Sequence, residues 1–179
     1  MRKLLLLSLF AFNMATAQEF VLTPNNFVNK DDESKNYIVL EYPELNQKQL
    51  YDKAKVFIQS KYENLKSDGI NEVEYSFIKI RTTAPGTRIG GSLMSLMMVT
   101  YEFSFKDGKI MIKPILDHYD PAKPGGNTTY ITGGNSFSGK SIFNKEGKVS
   151  LKNYYEVSNI NVNKFLNELK EYLSKDDEW

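Results

Sequence analysis

Val99-Thr100-Tyr101-Glu102-Phe103-Ser104-Phe105 leads into Lys106-Asp107-Gly108-Lys109 and out through Ile110-Met111-Ile112-Lys113, and the reading of this stretch decides the fold. Apolar and polar residues alternate on both sides of the Asp-Gly pair, which is the two-residue period of strands with one wet face. Asp-Gly between such runs predicts a two-residue type I′ hairpin, in which both central residues take positive φ. That turn sets a register. Lys106 faces Lys109, Phe105 faces Ile110, Phe103 faces Ile112 and Glu102 faces Lys113. Two apolar pairs then share one face and an opposite-charge pair lies on the other, each worth roughly 0.2–1 kcal/mol. A slip of one residue would set apolar against polar side chains on both faces.

Working upstream, Leu93, Met94, Leu96, Met97 and Met98 fill the core at the start of the strand, or else form an adaptable surface of the kind methionine suits. Ala84-Pro85-Gly86 and Gly90-Gly91 mark a loop from Thr82 to Ser92. Val73, Tyr75 and Phe77 alternate with Glu74 and Ser76 as a further strand. Before it, Leu50, Ala54, Phe57, Ile58 and Leu65 make one stripe of an amphipathic helix. Asn46 and Gln49 stand in capping-box register at its start, and Ser67-Asp68-Gly69 closes it. Tyr37 to Tyr42 is a short strand stopped by Pro43. The polar lead from Gln18 to Asn36 has an edge strand at its start and loop after it.

Downstream, Asp117 to Gly139 is rich in proline and glycine around a short strand, Thr128 to Thr132. A second hairpin joins Ser141-Ile142-Phe143 to Val149-Ser150-Leu151. The chain then closes on a helix whose stripe is Val162, Phe165, Leu166, Leu169, Tyr172 and Leu173, with Asn161 as its cap. Strand, helix, four or five antiparallel strands and helix make an α+β chain without internal repeats.

Two of these segments carry a resemblance. Leu50-Tyr51-Asp52-Lys53-Ala54 with Phe57-Ile58, and Tyr101-Glu102-Phe103-Ser104-Phe105-Lys106-Asp107-Gly108-Lys109, resemble an exported bacterial family, domain of unknown function 4468, with a TBP-like fold. The likeness spans Tyr37 to Leu173. It implies a β-α-β(4)-α order, with a curved antiparallel sheet and both helices packed on one face. No activity comes with it, and the DNA-binding role of the TATA-box protein does not transfer, because function follows the site and not the fold.

The N-terminus bears on compartment. Arg2 and Lys3, the apolar run Leu4 to Phe12 and Ala15-Thr16-Ala17 read as a secretory signal peptide cleaved before Gln18. An apolar run of about nine residues falls short of the roughly 20 a spanning helix needs. The chain thus divides into a signal peptide (1–17), the polar lead (18–36), one α+β domain (37–175) and an acidic tail (176–179). With no cysteine, a lipoprotein anchor and a disulfide framework are both excluded. The expected product is soluble, in the periplasm or outside the cell. Losing Arg2 and Lys3 leaves 21 basic residues against 22 acidic ones, so the charge falls from +1 to about −1. That balance gives no electrostatic footprint for nucleic acid or for an anionic membrane surface.

The sharpest motif is Gly134-Asn135-Ser136-Phe137-Ser138-Gly139-Lys140-Ser141, which matches G-x-x-x-x-G-K-S letter for letter. A phosphate loop must open a helix, and here Ile142-Phe143-Asn144-Lys145-Glu146-Gly147 reads as strand and turn. His118, the sole histidine, lies between Asp117 and Asp120 without a G-x-S-x-G elbow around any serine. Asp31-Asp32 and Asp176-Asp177 sit in polar segments that do not raise a carboxylate pKa. No catalytic, cofactor or metal residue is therefore assigned. Tyr119, Tyr130, Tyr154 and Tyr155, in or near loops, suit sugar or protein contacts. The expected function is a non-catalytic binding or interaction module of the cell envelope, using an open sheet face or the Gly125 to Gly139 loop. Its partner is an envelope protein or a small ligand. The alternative is a hydrolase using His118 with Asp117 or Asp120.

Overall fold

The computed structural model describes residues 18–62, 69–89, 91–134 and 139–175. In chain order these form β1 (Phe20–Thr23), β2 (Asn26–Asn29), β3 (Ile38–Glu41), α1 (Gln47–Lys61), β4 (Ile70–Val73), β5 (Phe77–Pro85), β6 (Arg88–Ile89), β7 (Ser92–Leu93), β8 (Ser95–Lys106), β9 (Lys109–Pro121), β10 (Thr129–Tyr130), β11 (Lys140–Ser141) and α2 (Lys152–Leu173). Leu65, Ser67-Asp68, Gly90, Asn135 to Ser138, the signal-peptide segment and the acidic tail lie outside the described residues.

The β8–β9 hairpin has the register read from its sequence: Phe105 pairs with Ile110, Phe103 with Ile112 and Glu102 with Lys113. Its turn differs from the expected type I′. Gly108 has φ +68°, but Asp107 does not share the left-handed region. The β3–α1 connection docks on this turn and orients it. Tyr42 N donates to Gly108 O at 2.8 Å, Gly108 N donates to Leu45 O at 2.9 Å, and Asp107 Oδ1 accepts from Gln47 N at 2.9 Å.

Around the hairpin builds a seven-stranded sheet in the order β11-β10-β9-β8-β5-β4, with β3 also on β9. It is mixed rather than wholly antiparallel, because β10 and β11 run parallel. The β9 edge opposite β8 is filled in succession: β3 pairs with residues 109–112, the Asn26 side chain meets Leu116, and Thr129 of β10 pairs with Tyr119. Both helices contact the same face. Phe165 of α2 stacks on Tyr101 at 4.1 Å, and Tyr51 of α1 meets Phe105 edge-on at 5.4 Å. A Phe57–Phe165 contact at 5.6 Å ties the helices together over this aromatic core.

Several sequence expectations are corrected. Val73 to Phe77 is a reversal, not one strand: Val73 pairs with Phe77 and Tyr75 takes φ +61° between them. The loop expected over Thr82 to Ser92 is largely strand, since β5 runs to Pro85 and pairs with β8 as far as Leu96. Asp117 to Pro121 likewise belongs to β9. The second hairpin is reduced to β11 and an isolated Phe143–Val149 bridge. In the polar lead, β1 and β2 form a hairpin that buries Phe20, Leu22 and Phe27 in the shared core. The capping box of α1 forms as read, with Leu50, Ala54, Phe57 and Ile58 buried.

The second helix starts at Lys152, well before Asn161, which is not its cap. Asn161 sits mid-helix and donates to Pro85 O at 2.8 Å. The missed first turns have no apolar stripe because their buried residue is a serine. Ser158 is wholly buried and meets Tyr119 Oη at 2.7 Å.

Candidate functional site

The side chains of β5, β8 and β9 that alternate with the core residues form the outer face of the sheet, and most of them are half-exposed or exposed. On β8 and the first part of β9 the alternation is regular: Tyr101, Phe103, Ile110 and Ile112 point inward, while Glu102, Met111 and Lys113 point outward. The register shifts between Met98 and Val99, so Met98 pairs with His118 and Val99 with Leu116. This bulge leaves Asp117 unpaired. Asp117 and His118 consequently both lie half-buried between the buried Leu116 and Tyr119. A β-bulge re-aims side chains in this way.

The bulge collects polar groups from three strands. Arg81 Nε lies 3.2 Å from Asp117 Oδ2, and Thr100 Oγ1 donates to the same oxygen at 3.2 Å. His118 Nε2 contacts Asp120 Oδ1 at 3.1 Å, and the His118 ring lies 6.3 Å from that of Tyr130. Further along, Glu102 bridges Lys79 at 3.1 Å and Lys113 at 3.4 Å. Burial pushes the Glu102 carboxyl up, but the two lysines outweigh it and hold the group below its ordinary range. Ile115 stands between Lys113 and Asp117 on β9, and Met98 lies on the far side of Thr100, opposite His118; both are half-exposed.

The expected site residues fall as follows. Of the two carboxylates weighed for His118, Asp120 is its partner, while Asp117 is held by Arg81 and Thr100. Among the described residues no serine hydroxyl bonds to His118. Asp32 is held down at about 2 by Lys35 and Ser34, the reverse of an acid–base carboxyl. In the phosphate-loop match, Gly134 N donates to Ser141 Oγ at 2.6 Å, and Lys140 and Ser141 form a strand. The first amide of the motif is thus spent on its own last residue, and among the described residues no helix opens there. Tyr119 is a core residue, whereas Tyr130 is exposed. Of the methionine cluster Met97 is buried, Met94 is exposed and Met98 is on the open face.

Arg81 and Thr100 were missed by sequence reasoning. The available signal was the alternation of Ile78 and Ile80 with Lys79 and Arg81, which places the basic residues on the wet face of β5. Among the described residues, no group of three or more His, Cys, Asp or Glu side chains is gathered in metal-binding geometry, and no helix is long and apolar enough to cross a membrane. A groove of about 470 Å³ lies between the hairpin turn and the β3–α1 link, lined by Glu41, Pro43, Leu45, Asp107 and Lys109 among others. Asp107 and the backbone groups of Gly108 in its wall are already engaged by Gln47, Tyr42 and Leu45.

Comparison with solved structures places this architecture. A TBP-like protein from Parabacteroides distasonis ATCC 8503 superposes with a TM-score of 0.59 at 11% identity, over 79% of this chain and 92% of that one. The fold is TBP-like. A DUF4468 family protein from Bacteroides ovatus ATCC 8483 superposes with a TM-score of 0.56 at 13% identity, over 80% of this chain and 87% of that one. The two neighbours are of the kind that the helix and hairpin motifs resemble, and at these identities the shared property is the TBP-like fold. No family model matches the chain, and no curated protein does.

Proposed function

We propose that the protein is an exported, non-catalytic binding module of the cell envelope that offers the bulged outer face of β5, β8 and β9 to an envelope protein. The observation that carries this reading is the outer face itself: half-exposed Ile115 stands between Lys113 and Asp117, and half-exposed Met98 lies on the other side of the Arg81–Asp117 pair, opposite His118. An apolar centre with a polar rim is the common anatomy of a protein interface. Export rests on the Met1 to Ala17 signal-peptide reading. The β-α-β(4)-α framework then corresponds to β3, α1, β4, β5, β8, β9 and α2, with the remaining strands added at its margins. The hydrolase alternative keeps the His118–Asp120 pair but has no serine bonded to it among the described residues.

The test is site-specific photocrosslinking in the cells that produce the protein, with a photoreactive residue in place of Met98 or Ile115. A control probe replaces Ile160, which is exposed on α2. Discrete adducts from the sheet positions and none from Ile160 support the reading. Equal labelling at all three positions, or none at the sheet positions, overturns it.

A further inference from the structure

We infer that the mature chain begins with a pyroglutamyl residue formed by cyclisation of Gln18. The inference rests on cleavage before Gln18, which belongs to the proposed function above.

A polar stripe of α2 holds the start of the described chain. Asn159 Oδ1 accepts from Leu22 N at 2.8 Å, Asn163 accepts from Phe20 N at 2.8 Å and donates to Phe20 O at 2.9 Å, and Lys170 Nζ donates to Gln18 O at 2.9 Å. The grips fall on Leu22, Phe20 and Gln18, the two-residue period of an extended segment read by one helix face. The last backbone group held in this series belongs to the residue that the signal-peptide reading makes first. The fold therefore docks the mature terminus.

That docking has a chemical consequence. Cleavage creates an α-amine on the residue whose carbonyl Lys170 already holds. Backbone dimensions put the amine within about 6.5 Å of the Lys170 ammonium. Lys170 is half-buried, and burial holds its pKa below the ordinary lysine value, with Glu19 partly opposing. A second cation there is disfavoured, so the α-amine is biased to its neutral, nucleophilic form. The electrophile is on the same residue: Gln18 Oε1 is buried without a hydrogen-bond partner, so the fold leaves that carboxamide oxygen unheld.

In the step, the α-amine nitrogen bonds to Cδ and the Cδ–Nε2 bond breaks. The amine proton leaves with the departing nitrogen as ammonia, and a five-membered lactam remains. No oxidant, reductant or co-reactant is needed. The product is a neutral lactam that cannot take up a proton beside Lys170, and it keeps the carbonyl that Lys170 grips.

The test is intact-mass measurement and stepwise amine-terminal degradation of the protein isolated from the cells that produce it, beside a Gln18→Ala variant. The expected result is a chain starting at residue 18 that is lighter than the uncyclised form by one ammonia. It is blocked to degradation until pyroglutamyl aminopeptidase is added, whereas the variant is open to degradation from Ala at once. A chain starting at Gln18 with a free amine overturns the cyclisation and leaves the export reading standing. A chain that retains Met1, or begins elsewhere, overturns both.

Discussion

Asn26 and Leu116 exchange two hydrogen bonds: Leu116 N donates to Asn26 Oδ1, and Asn26 Nδ2 donates to Leu116 O, both at 2.9 Å. One side-chain amide thus does for the β9 edge what a strand would do, in the gap between β3 and β10. Asn26 holds φ 88° while doing so, a conformation that asparagine tolerates better than most residues. Asn26→Gly keeps the backbone conformation and unpairs both Leu116 groups, so it should cost about 1–3 kcal/mol. Asn26→Asp should cost a similar amount by setting a carboxylate against the Leu116 carbonyl. Urea midpoints at constant m-value check both, and unchanged midpoints would remove Asn26 from the sheet edge.

Tyr119 and Ser158 form the buried polar contact between β9 and α2. Ser158 Oγ also donates to Tyr154 O at 2.8 Å, and Tyr119 Oη lies 3.3 Å from the same carbonyl. Each hydroxyl therefore keeps a partner when the other is removed. Tyr119→Phe and Ser158→Ala should each cost about 1 kcal/mol, and the double variant should depart from additivity by about 0.5 kcal/mol or more. A double-mutant cycle by denaturant unfolding measures the coupling, and strict additivity would contradict the shared network.

Alkaline pH should unfold the protein through its core tyrosines. Burial pushes the Tyr62 hydroxyl up to about 12, partly offset by a hydrogen bond with Thr82, and burial raises Tyr101 well above 10. Both are neutral in either state below the unfolded value of 10.0. Above it the unfolded chain loses these protons first, so stability falls as pH rises from 10 towards the folded values, by up to about 1.4 kcal/mol per pH unit per tyrosine. Tyr62→Phe and Tyr101→Phe should flatten the curve between pH 10 and 11.5. An unchanged slope in both variants would sink the assignment.

The Glu102 ladder on the open face should act in the opposite direction. Its carboxyl is held low in the fold, so its contribution is present above the unfolded carboxylate pKa and lost as pH falls through the folded one. Glu102→Gln should cost at most about 1 kcal/mol at pH 7, because partly exposed pairs are screened. The cost should shrink as pH falls below the ordinary carboxylate value of 4.5 and in high salt. Equal losses at pH 7 and pH 3 would show that packing, not charge, holds the residue.

Gly108 is doubly constrained. It takes φ +68°, and a Cβ there would meet Pro43 Cα at 3.3 Å. Gly108→Ala should therefore cost about 1–2 kcal/mol from the left-handed backbone alone, with the β3–α1 link strained in addition. Thermal unfolding of this variant beside Gly125→Ala, whose Cβ would meet nothing within 4 Å, separates the two causes. Equal shifts would leave only the backbone term.

The open face was legible only in halves. Alternation showed that Glu102 and Lys113 share the wet side, and sequence adjacency put His118 beside two carboxylates. The bulge that turns Asp117 and His118 the same way leaves no mark in the sequence, because it is a slip between two strands rather than a property of either. Which carboxylate His118 meets depends on that slip. Arg81 reaches Asp117 only because β5 continues past the proline-glycine stretch that reads locally as loop.

By itself the sequence determined the elements whose signals are local: the Asp107-Gly108 register, the Asn46–Gln49 capping box, the buried stripe of α1 and the later stripe of α2. Each depends on spacing within a few residues, where backbone geometry alone dictates which side chains meet. Only the tertiary structure decided the rest. Asn26 becomes a sheet-edge surrogate, Tyr75 a turn, Ser158 a core residue and Asp107 a brace for α1 because distant segments supply their partners. A polar residue's local preference is weak, so the hydrogen bond it finds across the fold overrides it.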